Sequence, residues 1–234
     1  PCLVDIQPPE GERYKDWRVA TAMSPAHSGN DRRGKAKRHG FGLYCAENYD
    51  ELIDHPVEMG HFSHATFEAC GVPHEVVITG RHDCDMSRLC RDLKRICEWQ
   101  IRFFGEPAPM SRYVFLVTAV GSGYGGLEHR ASTALLCSRN DLPYAGMTGL
   151  PEGYRTFLGL CSHEYFHTWN VKRIKPAAFA PYNLQAESYS PLLWLFEGFT
   201  SYYDDLMLVR AGLIDEAAYF KLLGKTVNSV LRGS

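Results

Sequence analysis

The sequence predicts an α+β fold, an N-terminal mixed sheet followed by a helical lobe. Three observations predict it. Short runs rich in β-branched and aromatic residues, "WRVATAM", "EVVITGR" and "YVFLVTAV", all end by residue 120. Apolar residues at helical spacing dominate the stretches after residue 153. Strands and helices segregated in that order pack as a sheet with helices over one side.

Taken in order, "WRVATAM" follows a Pro/Gly-containing stretch and reads as the tail of an upstream β-rich segment. In "HSGNDRRGKAKRHG", five of the seven residues from Arg32 to Arg38 are basic. No aromatic residue interleaves them, so the run reads as a solvated loop rather than a nucleic-acid surface. Residues 1–40 are therefore assigned to this upstream tail and basic loop, and residues 41–234 to a second domain. "EVVITGR" is a strand closed by Gly80. After it, Met86, Leu89, Cys90, Leu93, Ile96, Cys97, Ile101 and Phe104 recur at helical spacing, with Asp85 as cap and Gly105 as stop. "YVFLVTAV" at 113–120 is a nearly continuous apolar run, as in a strand covered on both faces. "GSGYGG" reads as a glycine-dense turn. A helix follows from Tyr154 to Asn170, then a second in "PLLWLFEGFTSYYDDLMLVRAG", with Pro191 in its first turn and Gly212 near its end. A last helix, "DEAAYFKLLGKTVNSVL", begins at Asp215 as its cap.

Composition narrows the function classes. At 234 residues and 45% hydrophobic content the chain can bury a sizeable core, and 25 basic against 27 acidic residues point to no polyanionic partner. No apolar run is long enough to span a bilayer. The chain opens without methionine or a visible leader and closes on a helix, as expected of a piece of a longer polypeptide truncated at its C-terminus, with a cytoplasmic parent. Its eight cysteines form no close pair and read as reduced thiols, with Cys90 and Cys97 packed as small hydrophobes.

The chemistry concentrates in "CSHEYFHTWN". Histidines four apart on a helix share a face, so His163 and His167 can direct ring nitrogens at one ion. Zinc suits two such histidines, since a catalytic site takes three protein ligands and leaves a position for water. Glu164, beside the first histidine, is placed to act as general base toward that water. The third ligand should come from another element. Glu197 in "LWLFEGFTSYY" follows five apolar residues, where an unpaired carboxylate would be costly to bury and a cation would offset the cost. Ser201, one turn on, is a candidate to orient a ligand. The alternative at this point is a pair of core histidines satisfied by hydrogen bonds and an acid on a solvated helix face. His61 with His64 in "HFSH", and His82 with Cys84 in "RHDCD", are weaker metal candidates, since neither has a matching second pair.

"HEYFHTWNVKRIKP", "LWLFEGFTSYY" and "GYGGLEHRAS", with "NYDELIDHPVEMG" and "GVPHEVVITGRHD" upstream, resemble the glycyl aminopeptidase family, gluzincin-type zinc peptidases that usually carry a PDZ domain. The likeness runs from about Trp17 onward. It implies a thermolysin-like catalytic domain over residues 41–234, one Zn2+ per chain held by His163, His167 and Glu197, and Glu164 as catalytic carboxylate. "GGLEH" is similar to the GxMEN segment of wider aminopeptidase relatives, an edge strand lining the substrate cleft. By that likeness Glu128 holds the peptide substrate's free α-amine, while Gly125 and Gly126 let its backbone approach. Two departures stand out. His129 replaces the asparagine of GxMEN, and 29 residues separate His167 from Glu197, so "VKRIKPAAFAPYNLQAESYS" forms an inserted loop. The resemblance implies an oxyanion-stabilising tyrosine well after the glutamate ligand; Tyr202 and Tyr203 follow Glu197 too closely, so it is expected beyond Ser234. The expected function is a zinc aminopeptidase acting on small N-terminal residues. The alternatives are a zinc endopeptidase and a noncatalytic scaffold, metal-bound or metal-free, that serves binding or interaction.

Overall fold

A computed structural model of the chain describes residues 1–26 and 36–233. The part of the basic run from Arg32 to Lys35 lies outside the described residues. Strands β1 (Cys2–Ile6), β2 (Arg18–Ala20), β3 (Ser24–Pro25) and β4 (Gly42–Ala46) come first, and β1, β4 and β3 form a three-stranded antiparallel sheet. That sheet carries past residue 40, the boundary expected from the sequence, because β4 pairs with both earlier strands. A short helix, α1 (Tyr49–Leu52), is capped by Asn48, whose side chain accepts from the Glu51 N–H. After it, β5 (Glu58–Gly60) pairs with β2.

The central sheet has five strands: β6 (Phe62–Ala69), β7 (Val72–Thr79), β8 (Tyr113–Val120), β9 (Tyr124–Glu128) and β10 (Ser132–Ser138), in the order β6-β7-β8-β10-β9. It is mixed, as expected. β6 and β7 form an antiparallel hairpin turned at Cys70 and Gly71, both with positive φ. β7 crosses to its parallel neighbour β8 through α2 (Met86–Phe104), which Asp85 caps by accepting from the Arg88 N–H. β8 is parallel to β10, and β9 is an antiparallel edge strand on β10.

β8 is buried on both faces because its side chains alternate between two cores. Phe115, Val117 and Ala119 join the cluster under the helices, together with Leu89, Leu93 and Ile96 of α2. Val114 and Leu116 join Ala20, Ala22 and Phe62 on the other face. Glycines misled the reading of "GSGYGG": its last three residues are not a turn but the start of β9, stabilised by pairing that no local signal reports. "HFSH", which showed no period, likewise lies in or beside β6.

The helical lobe consists of α3 (Glu152–Phe166), α4 (Leu193–Arg210) and α5 (Glu216–Gly233), the last capped by Asp215 accepting from the Ala218 N–H. α3 packs against the sheet, where Tyr165 donates its hydroxyl to Nε2 of His74 at 2.9 Å. That hydrogen bond fits a neutral His74, whose pKa burial pushes down to about 4. The segment between α3 and α4 holds one short 3-10 turn, Ala177–Phe179, as an inserted loop would. None of the helices in the described residues is long and apolar enough to cross a membrane.

Candidate active site

Helix α3 presents His163 and Glu164, and its C-terminal cap is His167, so the two histidines lie one turn apart at the end facing α4. Each has its Nδ1 committed. His163 Nδ1 lies 3.0 Å from Asp204 Oδ2, and His167 Nδ1 lies 2.8 Å from the carbonyl of Asn170. Both partners accept hydrogen bonds, so each Nδ1 carries the proton and each Nε2 is left with a lone pair. The two Nε2 atoms stand 3.1 Å apart. Glu197 Oε2, from α4, lies 3.4 Å from the first and 3.6 Å from the second.

With both imidazoles in the neutral form that a metal requires, three electron-rich atoms thus face one another; without one, burial opposes a proton on His163, but Asp204, Glu164 and Glu197 outweigh it and favour that proton. A tetrahedral zinc ion with bonds of about 2.0–2.1 Å separates its ligand atoms by about 3.3 Å, close to the three sides of this triangle. The donor set therefore fits a divalent cation with an open fourth position. Glu197 is 53% exposed, so the cost of burial, which the sequence argument invoked, is not what places it. Packing of α4 on α3 places it instead, through Asn170. Its amide donates to the Phe196 carbonyl at 3.1 Å and to Thr200 Oγ1 at 3.0 Å, on either side of Glu197.

A buried polar seam holds the helices in register. Gln100 of α2 donates to the carbonyl and hydroxyl of Ser162, both at 2.9 Å, and Ser162 Oγ donates to the Asp204 carbonyl at 2.8 Å. Ser201, the expected orienting residue, is exposed on α4. Asp204 takes that role, seven residues after Glu197 and so on the same helical face.

Glu164 is 5% exposed, and its Oε2 has no hydrogen-bond partner among the described residues. Burial raises its pKa to about 7, helped by Glu128 and Glu197 and opposed by the charge of His163. A bound cation would draw it back toward the carboxylate, the form a general base needs.

Opposite α3 runs the edge strand β9. The two-residue period of a strand puts Tyr124, Gly126 and Glu128 on one face, and that face meets the helix. Carboxylate oxygens of Glu128 and Glu164 and a ring nitrogen of His167 all lie within 4.8 Å of one another. At Gly126 a Cβ would fall 2.2 Å from Glu164 Oε1, so the missing side chain makes room for that carboxylate. Gly125, on the alternate face, has nothing within 4 Å of its Cβ position. Tyr124 escaped the sequence reading, although its spacing from Gly126 and Glu128 was a signal. Burial and the charges of Asp204, Asp205 and Glu164 push its hydroxyl up to about 12.

The remaining candidates fall elsewhere. Tyr203 stacks on Phe166 at 5.3 Å, and Tyr202 meets Tyr203 edge-on. His64 does not pair with His61; its Nδ1 lies 3.5 Å from Glu75 Oε1, which His39 Nε2 approaches to 2.8 Å. Arg38 and Arg112 lie 3.4 and 3.7 Å from Oε2 of the same carboxylate, making the group an ion-pair cluster around the buried Glu75. His82 Nδ1 accepts from the Cys84 N–H at 3.1 Å.

Two family models match the chain: the M61 glycyl aminopeptidase model over residues 156–234 and the peptidase M61 N-terminal domain model over residues 1–61. Among solved structures, an aminopeptidase N family protein from Idiomarina loihiensis is 50% identical with a TM-score of 0.84, over 89% of this chain and 34% of its own. The chain thus spans about a third of that relative. An M1 zinc metallopeptidase variant from Deinococcus radiodurans shares the fold at 15% identity and a TM-score of 0.53, over 87% of this chain and 40% of its own. No curated protein matches. With both of its family models on one chain and half its residues shared with the Idiomarina protein, the chain belongs to the M61 glycyl aminopeptidase family.

Proposed function

We propose that the chain carries the catalytic centre of a zinc aminopeptidase with a thermolysin-like domain of the gluzincin type, removing small N-terminal residues such as glycine or alanine from peptides. The observation that carries this reading is the triangle of His163 Nε2, His167 Nε2 and Glu197 Oε2, with sides of 3.1, 3.4 and 3.6 Å, beside a buried carboxylate with a free oxygen. One zinc ion held there would supply a Lewis acid for the scissile carbonyl and lower the pKa of the attacking water. Glu164 takes that water's proton on Oε2 and passes it to the leaving amine. Burial keeps bulk water from competing for the proton. Glu128, on the same strand face as Gly126, pairs with the substrate's α-ammonium and so fixes cleavage at the first bond. β9, an edge strand among the described residues, offers backbone groups to an extended peptide. The preference for small residues rests on the family alone.

The test combines metal analysis with turnover. One zinc per chain is expected after dialysis, both in the native protein and in Glu164→Gln, with activity falling at least about 10²-fold only in the variant. Native protein without zinc would favour a noncatalytic scaffold. Equal or faster cleavage of amino-blocked dipeptide amides than of free ones would favour an endopeptidase.

A further inference from the structure

Asp54 lies in the turn after α1 and is 7% exposed, and the hydrogen bonds and ion pairs of its carboxylate among the described residues go to His129, Arg130 and Lys172 rather than to the metal triangle. Two segments grip it from opposite sides. The first is the β9–β10 turn directly after Glu128, where His129 Nδ1–H donates to Asp54 Oδ1 and the Arg130 backbone N–H to Oδ2, both at 3.1 Å. Arg130 adds its Nε 3.3 Å from Oδ2 and a second ion pair to Asp50. The other segment is the loop that leaves the metal helix. Lys172 Nζ lies 2.7 Å from Asp54 Oδ1, while the backbone N–H of Lys172 donates to the carbonyl of His167 at 3.1 Å. Arg173 repeats the connection, donating to the carbonyls of Thr168 at 2.6 Å and Arg130 at 3.3 Å.

One buried carboxylate therefore joins the residue next to Glu128 to a residue anchored on His167. The hairpin does not need this to close, since His129 N–H already bonds the Ser132 carbonyl at 3.0 Å. Nor is a buried charge cluster an economical way to add stability, because desolvation offsets much of its attraction. What it adds is a fixed separation. β9 is paired through β10 alone among the described residues, and an amine-binding carboxylate a single ångström out of place loses much of its effect. The histidine that departs from the relatives' asparagine is the residue that makes the contact.

We propose that Asp54 is a positioning residue for substrate: through His129 and Lys172 it sets the distance between the amine-binding Glu128 and the metal triangle. The inference rests on the aminopeptidase reading. The test is a double-mutant cycle on the zinc-loaded protein, with an N-terminal glycine dipeptide amide as substrate. Asp54→Asn is expected to raise KM about tenfold or more, with kcat and zinc content held within about twofold. In a Glu128→Gln background the same change should alter KM by less than about twofold, because the group it positions is gone. Unchanged KM in Glu128→Gln alone would sink the aminopeptidase reading. A raised KM in Glu128→Gln with none in Asp54→Asn, or equal effects of Asp54→Asn in both backgrounds, would overturn the positioning role alone. Should Asp54→Asn not fold, Lys172→Gln keeps the His129 contact and carries the same expectation, and an unchanged KM in that variant rejects the proposal.

Discussion

Asp204 Oδ2 lies 3.0 Å from Nδ1 of His163, and that contact turns the free Nε2 toward His167 and Glu197. Asp204 is in turn fixed by Ser162, whose hydroxyl donates to its carbonyl at 2.8 Å. Removing the charge should loosen the ligand without emptying the helix of its structure. Asp204→Asn is expected to weaken zinc binding about 10–100-fold, measured by competition with a chelator. Ser201→Ala, on the exposed face, should leave affinity unchanged.

Gly126 and Glu164 cannot both keep their places if a methyl group is added, since the Cβ would fall 2.2 Å from Oε1 and 2.5 Å from Cδ. The carboxylate, as the mobile partner, must swing away. Gly126→Ala should then cost about 10²-fold in kcat with zinc retained, since a shift of about 1 Å in a reacting group has that effect. Gly125→Ala, whose Cβ meets nothing within 4 Å, leaves Glu164 undisturbed, so any loss there should fall on KM rather than kcat.

Asn170 supports two ligands at once, accepting from His167 Nδ1 at 2.8 Å and donating to Phe196 and Thr200 around Glu197. Asn170→Ala keeps the backbone carbonyl but leaves the Phe196 carbonyl with one donor fewer. A stability loss of about 1–3 kcal/mol by denaturant titration is expected, with weaker zinc binding through Glu197 rather than His167. Spectra of a cobalt-substituted sample would report that change of ligand.

Asp54 predicts an acid limit. Burial alone would raise its pKa, but the His129 hydrogen bond, the Lys172 charge and the Arg130 N–H hold it at about 2, below its ordinary 3.8. A carboxyl group depressed in the folded state stabilises the protein fully above its unfolded pKa, and that stability is lost as pH falls through the folded one. The contribution, about 2 kcal/mol from a shift of nearly two units, should therefore fade between about pH 4 and pH 2. Melting curves of native protein and Asp54→Asn should differ at pH 6 and converge near pH 2. A difference that persists at pH 2 would falsify the assignment.

Much of the molecule was legible in the sequence because the signals were local. The cap at Asp85 and apolar spacing defined α2, and four-residue spacing put His163 and His167 on one face. Asp204 was legible too, since seven residues after Glu197 is two helical turns, whereas Ser201, one turn after Glu197, is exposed. β6 was not legible, and β9 was reached only through the resemblance of "GGLEH" to an edge strand, because strands rich in glycine or polar residues are stabilised by partners elsewhere in the sheet.

By itself, then, the sequence determined that His163 and His167 share a face, that Glu164 stands beside them and that α2 is an amphipathic helix, all of which follow from periodicity within one element. Only the tertiary structure decided that Glu197 completes the triangle across 29 intervening residues, that Gly126 makes room for Glu164, and that Asp54 ties the β9–β10 turn to the end of α3. These are contacts between elements, set by how helices and strands pack, and no residue carries them in its immediate neighbours.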